Sequence, residues 1–421
     1  MTRPRIGYAG MTHLGLCSAI VAASKGFVTL GFDPDCGLVR KLEAGELPVV
    51  EPGLDDLLQE HRSRMTFSAS PAQLRECDLV YVAPDVPTDN IGASDLTSVD
   101  RLLQLVLAQT RPDAIVVVLS QVPPGFTRAR RQDGRLYYQV ETLIFGRAVE
   151  RATQPERFIV GVPDSSQPLP PALKTFLEAF GCPILPMRFE SAELTKISIN
   201  CCLVASVTVT NTLAELCERI GADWSEMAPA LKLDRRIGTY SYLTPGLGLA
   251  GGNLERDLAT VIRFSEEFGT DAGLIKAFVA NSLHRKDWAI RTLHETLLWK
   301  APQAIIGILG LAYKENTHSI KGSPSLALIQ QLAPWPIRVY DPVVPASAAA
   351  HPAVTGAKSV LEAARGVDAV AIMTPWPEFR GVLCTELAAA MRGRLVLDPF
   401  RVLDPATARA AGLIYRTLGV E

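Results

Sequence analysis

Short apolar runs alternate with helical patterns at both ends of the chain, and a purely helical pattern lies between them. Arg5 to Ala9 is an apolar strand, followed by a glycine-bearing turn and a helical stretch from Leu14 to Ser24. A second strand, Val28 to Phe32, ends on Asp33. Strand Leu79 to Ala83, helix Ser98 to Thr110 and strand Ala114 to Leu119 continue the series, and this alternation predicts a parallel, doubly wound sheet. From about Ser191 to Trp299 the pattern is helical. Its first part, Ser191 to Cys217, is rich in Ala, Val and Leu and nearly free of charge after Lys196, which predicts burial in a core or a subunit interface. Strands return at Ala304 to Leu309, Ile337 to Tyr340, Ala369 to Met373 and Leu395 to Leu397, a second α/β domain with its boundary at Ala301 and Pro302. The predicted organisation is α/β: a Rossmann-like domain over 1–190, a helical region over 191–300 and a second Rossmann-like domain over 301–421.

Composition agrees with more than one core. The chain has 421 residues, 48% hydrophobic and 20% charged, which predicts two or three domains of a soluble protein. A net charge of -2 and the absence of a Lys/Arg stripe argue against nucleic-acid binding. The start carries no leader-like apolar run, and no stretch is read as a membrane span, so the expected location is the cytoplasm. Eight cysteines show no Cys-x-x-Cys spacing or His pairing that would suggest zinc, and are read as small buried hydrophobes in a reducing compartment.

The turn after the first strand is Gly10, Met11, Thr12, His13, Leu14, Gly15, so that G-x-G-x-x-G has become G-x-T-x-x-G. The outer glycines serve the tight turn and the packing of helix on strand; the middle one normally lets the backbone approach a pyrophosphate, and Thr12 adds a side chain there. Asp33, roughly 20 residues on, stands where a carboxylate holds ribose hydroxyls and disfavours a 2′-phosphate, which favours NAD over NADP.

Several segments in order then resemble one family over nearly the whole chain. They are Gly45 to Leu54, Pro87-Thr88-Asp89, Ser120 to Gly125, Ser191 to Lys196, Pro245 to Asp257, Gly310 to Lys314 and Thr374 to Phe379. Together these resemble the nucleotide-sugar 6-dehydrogenases, typified by UDP-glucose and GDP-mannose dehydrogenase. The resemblance implies NAD, a nucleotide-diphosphate sugar, two α/β domains joined by a long central helix, and a homodimer built on that helix. In that family a cysteine captures the aldehyde made by the first hydride transfer, and a second transfer leaves a thioester that water hydrolyses.

Roles carried over from the resemblance fall on named positions. Lys196 and Asn200 lie one helical turn apart and can converge on one oxygen as an oxyanion-stabilising pair. Asp257 would hold a water or tune Lys196, Glu141 matches the hydrolytic base, and Gln121 replaces a threonine that positions water. Gly10, Thr12, His13, Leu14, Asp33, Thr88 and Lys321 would contact the cofactor. Arg236, Tyr242, Gly248 and Lys314 would contact the substrate. Asn253 stands where the family's loop, Gly-x-Gly-Gly-x-Cys-x-x-Lys-Asp, has its nucleophile, and a carboxamide is not one. Cys201 and Cys202, about 140° and 240° round the helix from Lys196, are read as pointing elsewhere. Three outcomes stay open: a single two-electron oxidation, or oxidation and re-reduction with altered stereochemistry; direct oxidation of an aldehyde hydrate to the acid; and a nucleotide-sugar-binding or regulatory protein without turnover.

Overall fold

The computed structural model describes residues 3–89, 92–131 and 134–421. The chain divides into two compact units, the first ending at Ile199 and the second running from Asn200 to Glu421.

The first unit is built on an eight-stranded sheet. Its strands are β1 (Ile6–Ala9), β2 (Thr29–Phe32), β3 (Met65–Ser68), β4 (Leu79–Val82), β5 (Ile115–Val118), β6 (Leu136–Gln139), β7 (Phe158–Val162) and β8 (Ile184–Arg188). The order is β3-β2-β1-β4-β5-β6-β7-β8. Every residue of β1, β2 and β4 is buried, as a parallel sheet covered on both faces requires, and an apolar cluster lies against each face. The four strands read from the sequence, β1, β2, β4 and β5, begin and end within one residue of expectation; β3, β6, β7 and β8 were not read. One pairing departs from the all-parallel reading: β6 and β7 are antiparallel. The segment between them carries the short helix Ala148–Thr153 and stays at one end of the sheet. Glu141 lies just past β6, in that segment.

The second unit opens with helices, including Asn253–Phe268 and Gly273–Lys286, and closes with a six-stranded parallel sheet. Its strands are β9 (Ile306–Leu309), β10 (Ile337–Tyr340), β11 (Val354–Gly356), β12 (Ala369–Ile372), β13 (Leu395–Leu397) and β14 (Ile414–Arg416), in the order β11-β10-β9-β12-β13-β14. The first six strands of the first sheet have the same order. In both sheets the topological switch falls beside the first strand, between β1 and β4 and between β9 and β12. The carboxyl ends of those strands form the crevice where open α/β sheets bind ligands.

The long helix runs from Phe189 to Ile220, beginning in the first unit and ending in the second. One sequence expectation changes here. Its most apolar 18-residue window has a mean hydropathy of 1.5, so by length and composition alone it is long and apolar enough to cross a membrane. Only a third of that window is buried, so the helix is not covered on most sides. Asn200 and Asn211 are buried and bonded to protein groups, Asp257 and the Gly246 amide, as in the core helix of a globular domain. Val209, Leu213, Leu216 and Ile220 remain exposed.

Candidate active site

The glycine turn of the first unit is shaped for close approach. Gly10 has φ 96°, and a Cβ there would stand 2.8 Å from the Pro84 nitrogen; a Cβ on Gly15 would meet the Gly10 carbonyl at 1.8 Å. Asp33 closes the far side, its Oδ2 accepting the Met11 amide at 2.8 Å and its Oδ1 the Asp35 amide at 3.0 Å. A tight turn, helix packed against strand, and a fixed carboxylate at the end of β2 fit the pyrophosphate and ribose of a dinucleotide. Two groups crowd that fit. The Thr12 hydroxyl accepts the Asp85 amide at 2.8 Å, and Asp85 Oδ2 accepts the His13 amide, the first of the helix His13–Ser24, at 3.0 Å.

The His13 ring is turned away from the glycine turn. Its side chain is buried, Nε2 lies 2.7 Å from Glu51 Oε1, and the ring stacks on Phe145 at 4.1 Å. What it presents to the turn is its backbone amide, and the ring is held inside by Glu51. Leu14 is likewise buried in the apolar cluster beneath the sheet. Thr88 lies in the segment after β4 and forms an isolated antiparallel bridge with Ser94.

At the end of β6, Lys196 Nζ sits 2.9 Å from Glu141 Oε1, with both side chains mostly buried. The other Glu141 oxygen accepts the Leu143 amide at 2.9 Å, which fixes the carboxylate. Gln121 is half-buried in the segment that follows β5. An ammonium beside a fixed carboxylate can donate to a substrate oxygen and pass a proton on.

In the second unit, Asn200 Nδ2 donates to Asp257 Oδ2 at 2.5 Å, and Arg256 Nε lies 3.3 Å from Asp257 Oδ1. Asp257 is 1% exposed, so these bonds compensate its burial. Asn200 keeps a second amide hydrogen beyond this bond. Asn253 is exposed at the first position of the helix Asn253–Phe268. Gly252 before it has φ 89°, and a Cβ there would stand 2.6 Å from Lys321 Cε and 3.0 Å from Nζ, so the glycine lets the lysine lie along the loop. The nearest thiol in sequence to Asn200, Cys201, is half-buried against Val204, Leu249, Leu258 and Phe278. Burial, reinforced by the Asp257 charge, pushes it up to about 11, the protonated and unreactive form at neutral pH.

The four substrate candidates sit on loops of this unit with different surroundings. Gly248 has φ 78° and abuts the Ser282 carbonyl, where a Cβ would approach to 2.4 Å, so its geometry is set by packing on the helix Gly273–Lys286. Arg236 is 90% exposed and pairs with Asp234 at 2.7 Å. Tyr242 is exposed, its carbonyl accepting the Thr210 hydroxyl. Lys314, on the turn after β9, lies over the Tyr313 ring at 5.6 Å.

Sequence reasoning missed three carboxylates that organise these loops. Glu51, 3% exposed, accepts the Gly146 and Ala148 amides as well as facing His13. Glu193, fully buried, accepts the Gly125 and Thr127 amides at 2.6 and 2.9 Å, and burial raises its pKa above the ordinary carboxylate value. Asp341, at the end of β10, accepts the Leu311 and Ala312 amides and the Trp376 indole. Glu51 and Glu193 lay inside motifs noted for other residues; their use as helix-start acceptors depends on partners far away in sequence.

Comparison with known proteins fits this arrangement. Residues 4–170 match the NAD binding domain of the UDP-glucose/GDP-mannose dehydrogenase family, 190–282 its central domain and 307–405 its UDP binding domain. The UDP-glucose 6-dehydrogenase TuaD of Bacillus subtilis is 28% identical over 99% of this chain and 93% of its own length. A UDP-glucose 6-dehydrogenase of Pseudomonas aeruginosa is 29% identical, covering 99% and 97%. The solved structure of a UDP-glucose dehydrogenase from Pyrobaculum islandicum superposes with a TM-score of 0.86 at 27% identity, over all of this chain and 98% of the other. The chain is an NAD-dependent oxidoreductase of the nucleotide-sugar dehydrogenases and belongs to the UDP-glucose/GDP-mannose dehydrogenase family.

Proposed function

We propose that this protein oxidises a UDP-sugar by a single hydride transfer to NAD, with the thioester stage of the family reaction absent. The observation that carries the reading is Asn253: an exposed carboxamide at the head of a helix, in the loop position where the family has its cysteine, with Cys201 held protonated. When bound, NAD accepts the hydride. The protein's residues do the rest. Glu141 and Lys196 form the proton-handling pair: the sugar alcohol's proton passes to Lys196 as Lys196 gives one to the Glu141 carboxylate, and the ammonium then donates to the carbonyl oxygen that forms. Asn200, oriented by Asp257, is the second unit's own donor for the substrate. Asn253 holds the carbonyl product by a hydrogen bond where a thiol would attack it. The product is released as an aldehyde or ketone, or reduced again with altered stereochemistry. UDP is favoured because the curated relatives named above are UDP-glucose 6-dehydrogenases.

The test is stoichiometry. Purified protein is incubated with NAD and a panel of UDP-, GDP- and dTDP-sugars, following NADH by absorbance and the sugar nucleotide by mass. One NADH per product lighter by two hydrogens is expected. Two NADH with a gained oxygen would overturn the reading in favour of acid formation, and binding without NADH would overturn it in favour of a non-catalytic role.

The working form proposed is a cytoplasmic homodimer. Val209, Leu213, Leu216 and Ile220 recur at four-three-four spacing on the exposed side of the long helix, the seam of a two-helix contact, and Leu233 and Tyr240 add exposed apolar surface at 84% and 96%. Sedimentation should give twice the chain mass, and Leu216→Glu should halve it; a monomeric wild type would refute the seam.

A further inference from the structure

We propose that Asp85 is a built-in competitor of the cofactor's pyrophosphate, holding the first unit in a state of low NAD affinity until the carboxylate turns away. The amides at the start of a helix lack partners within it and attract anions, which is why a dinucleotide's pyrophosphate sits there. In this chain an anion from the protein already occupies that end. Asp85 Oδ2 accepts the His13 amide at 3.0 Å, while the Asp85 amide donates to the Thr12 hydroxyl at 2.8 Å. The two bonds lock the turn to the segment after β4. Thr12, in the slot of the middle glycine, is one half of the lock and Asp85 is the other.

Contrast with the other carboxylate caps of this unit separates a removable group from a structural one. Glu193 and Glu51 also accept amides at helix starts, Gly125 with Thr127 and Gly146 with Ala148, but they are 0% and 3% exposed. Moving either would bury a charge without a partner. Asp85 is exposed, so its carboxylate can rotate into water at little cost. A bound pyrophosphate would bring two negative charges against a third within a few ångströms. At an effective dielectric of about 20 to 40 that repulsion exceeds the cost of turning the exposed carboxylate into water, so the penalty is the loss of one exposed cap, roughly a tenfold change in affinity. Asp33 is untouched by this competition, because it lies at the adenosine end.

The test uses the full chain and three ligands: NAD, ADP-ribose, which keeps the pyrophosphate, and adenosine, which lacks it. Affinities are measured by calorimetry for wild type, Asp85→Asn and the double variant Thr12→Gly/Asp85→Gly, with melting temperatures to show that each is folded. Asp85→Asn keeps the shape and removes the charge, and is expected to bind NAD and ADP-ribose roughly tenfold more tightly with adenosine unchanged. The double variant should gain at least as much. Equal or weaker NAD binding in both folded variants overturns the competition alone, as does an equal gain for adenosine. Failure of all three forms to bind NAD or ADP-ribose overturns it together with the cofactor assignment.

Discussion

Replacing Asn253 by cysteine should restore the second oxidation, and the structure sets the size of the effect. Asn253 is exposed at the first turn of a helix that continues to Phe268, so the exchange disturbs no packing and should leave stability within about 0.5 kcal/mol. A free thiol titrates near 8.5, and only the thiolate attacks an aldehyde. At a helix N-terminus the dipole favours the thiolate by about 1 kcal/mol, somewhat under one pKa unit. Lys321, whose ammonium runs beside Gly252, works in the same direction. Glu255 works against it, because its carboxylate accepts the Gly252 amide at 3.1 Å in the same first turn. The balance puts the new thiol's pKa below the free value, so that more of it is ionised at pH 8 than of a free cysteine. Iodoacetamide trapping against pH reads that value directly, and NADH per UDP-sugar consumed should rise from one toward two with a uronic acid in the mass spectrum. A thiol that titrates at 8.5 or higher would refute the electrostatic argument. A thiol that titrates low while turnover stays at one NADH and no acid forms would refute the geometry assigned to the loop.

Glu51→Ala removes the acceptor for two amides and the partner of His13 in a buried setting, and should lower the unfolding free energy of the first unit by about 3 kcal/mol or more in a denaturant titration. A loss under about 1 kcal/mol would show that water replaces it. Asp398 is fully buried and its pKa is raised, chiefly by burial, although Leu403 and Tyr415 donate to Oδ2. A carboxyl with a folded pKa above its unfolded value contributes stability that is fully present below the unfolded value and lost as pH rises through the folded one. Wild type should therefore lose stability relative to Asp398→Asn as pH climbs from 4 to 7, and a parallel pair of curves would refute the sign. Arg236→Ala breaks an exposed pair with Asp234, so melting should not change. If the guanidinium meets substrate, KM for the nucleotide sugar rises instead, and an unchanged KM would remove it from the site.

The sheets were legible because strands buried on both faces must be continuous apolar runs, as in Ile6–Ala9 and Ile306–Leu309. Asp33 was legible because its distance from the turn is set by the length of one helix and one strand. The direction of β7 was not, since Phe158–Val162 has the same composition as a parallel strand and pairing direction leaves no mark on a single run. His13 looked like a cofactor contact by position in the turn; only Glu51, far off in sequence, decides that its ring turns inward. The long helix read as buried because apolar residues look alike whether a core or a second chain covers them, and three of the four residues of its seam are over 50% exposed. Asp85 carried no signal at all, because its two bonds reach back to residues 12 and 13 across three intervening strands.

The two sheets give the two crevices a common backbone and different ways of meeting phosphate. In each, a strand ends on a glycine with φ above 90°, Gly10 or Gly310, and an aspartate at the end of the neighbouring strand, Asp33 or Asp341, accepts the amide that follows. Past that point they diverge. The first crevice leads at once into a helix, so its cation equivalent is a set of amides, and Asp85 already uses one of them. In the second, the next helix waits until Pro324, and the intervening loop carries Lys314 and Lys321. There the residue matching Thr12 is Ala312, whose carbonyl accepts the Thr374 hydroxyl at 2.6 Å, a neutral contact with no carboxylate in it. Ala312 also gives its amide to Asp341, but no helix starts there, so competition for a helix-start amide is confined to the cofactor crevice. UDP affinity should be the same in wild type and Asp85→Asn while NAD affinity differs, and an equal gain for both ligands would mean that Asp85 acts through the net charge of the chain instead of through the helix amide it occupies.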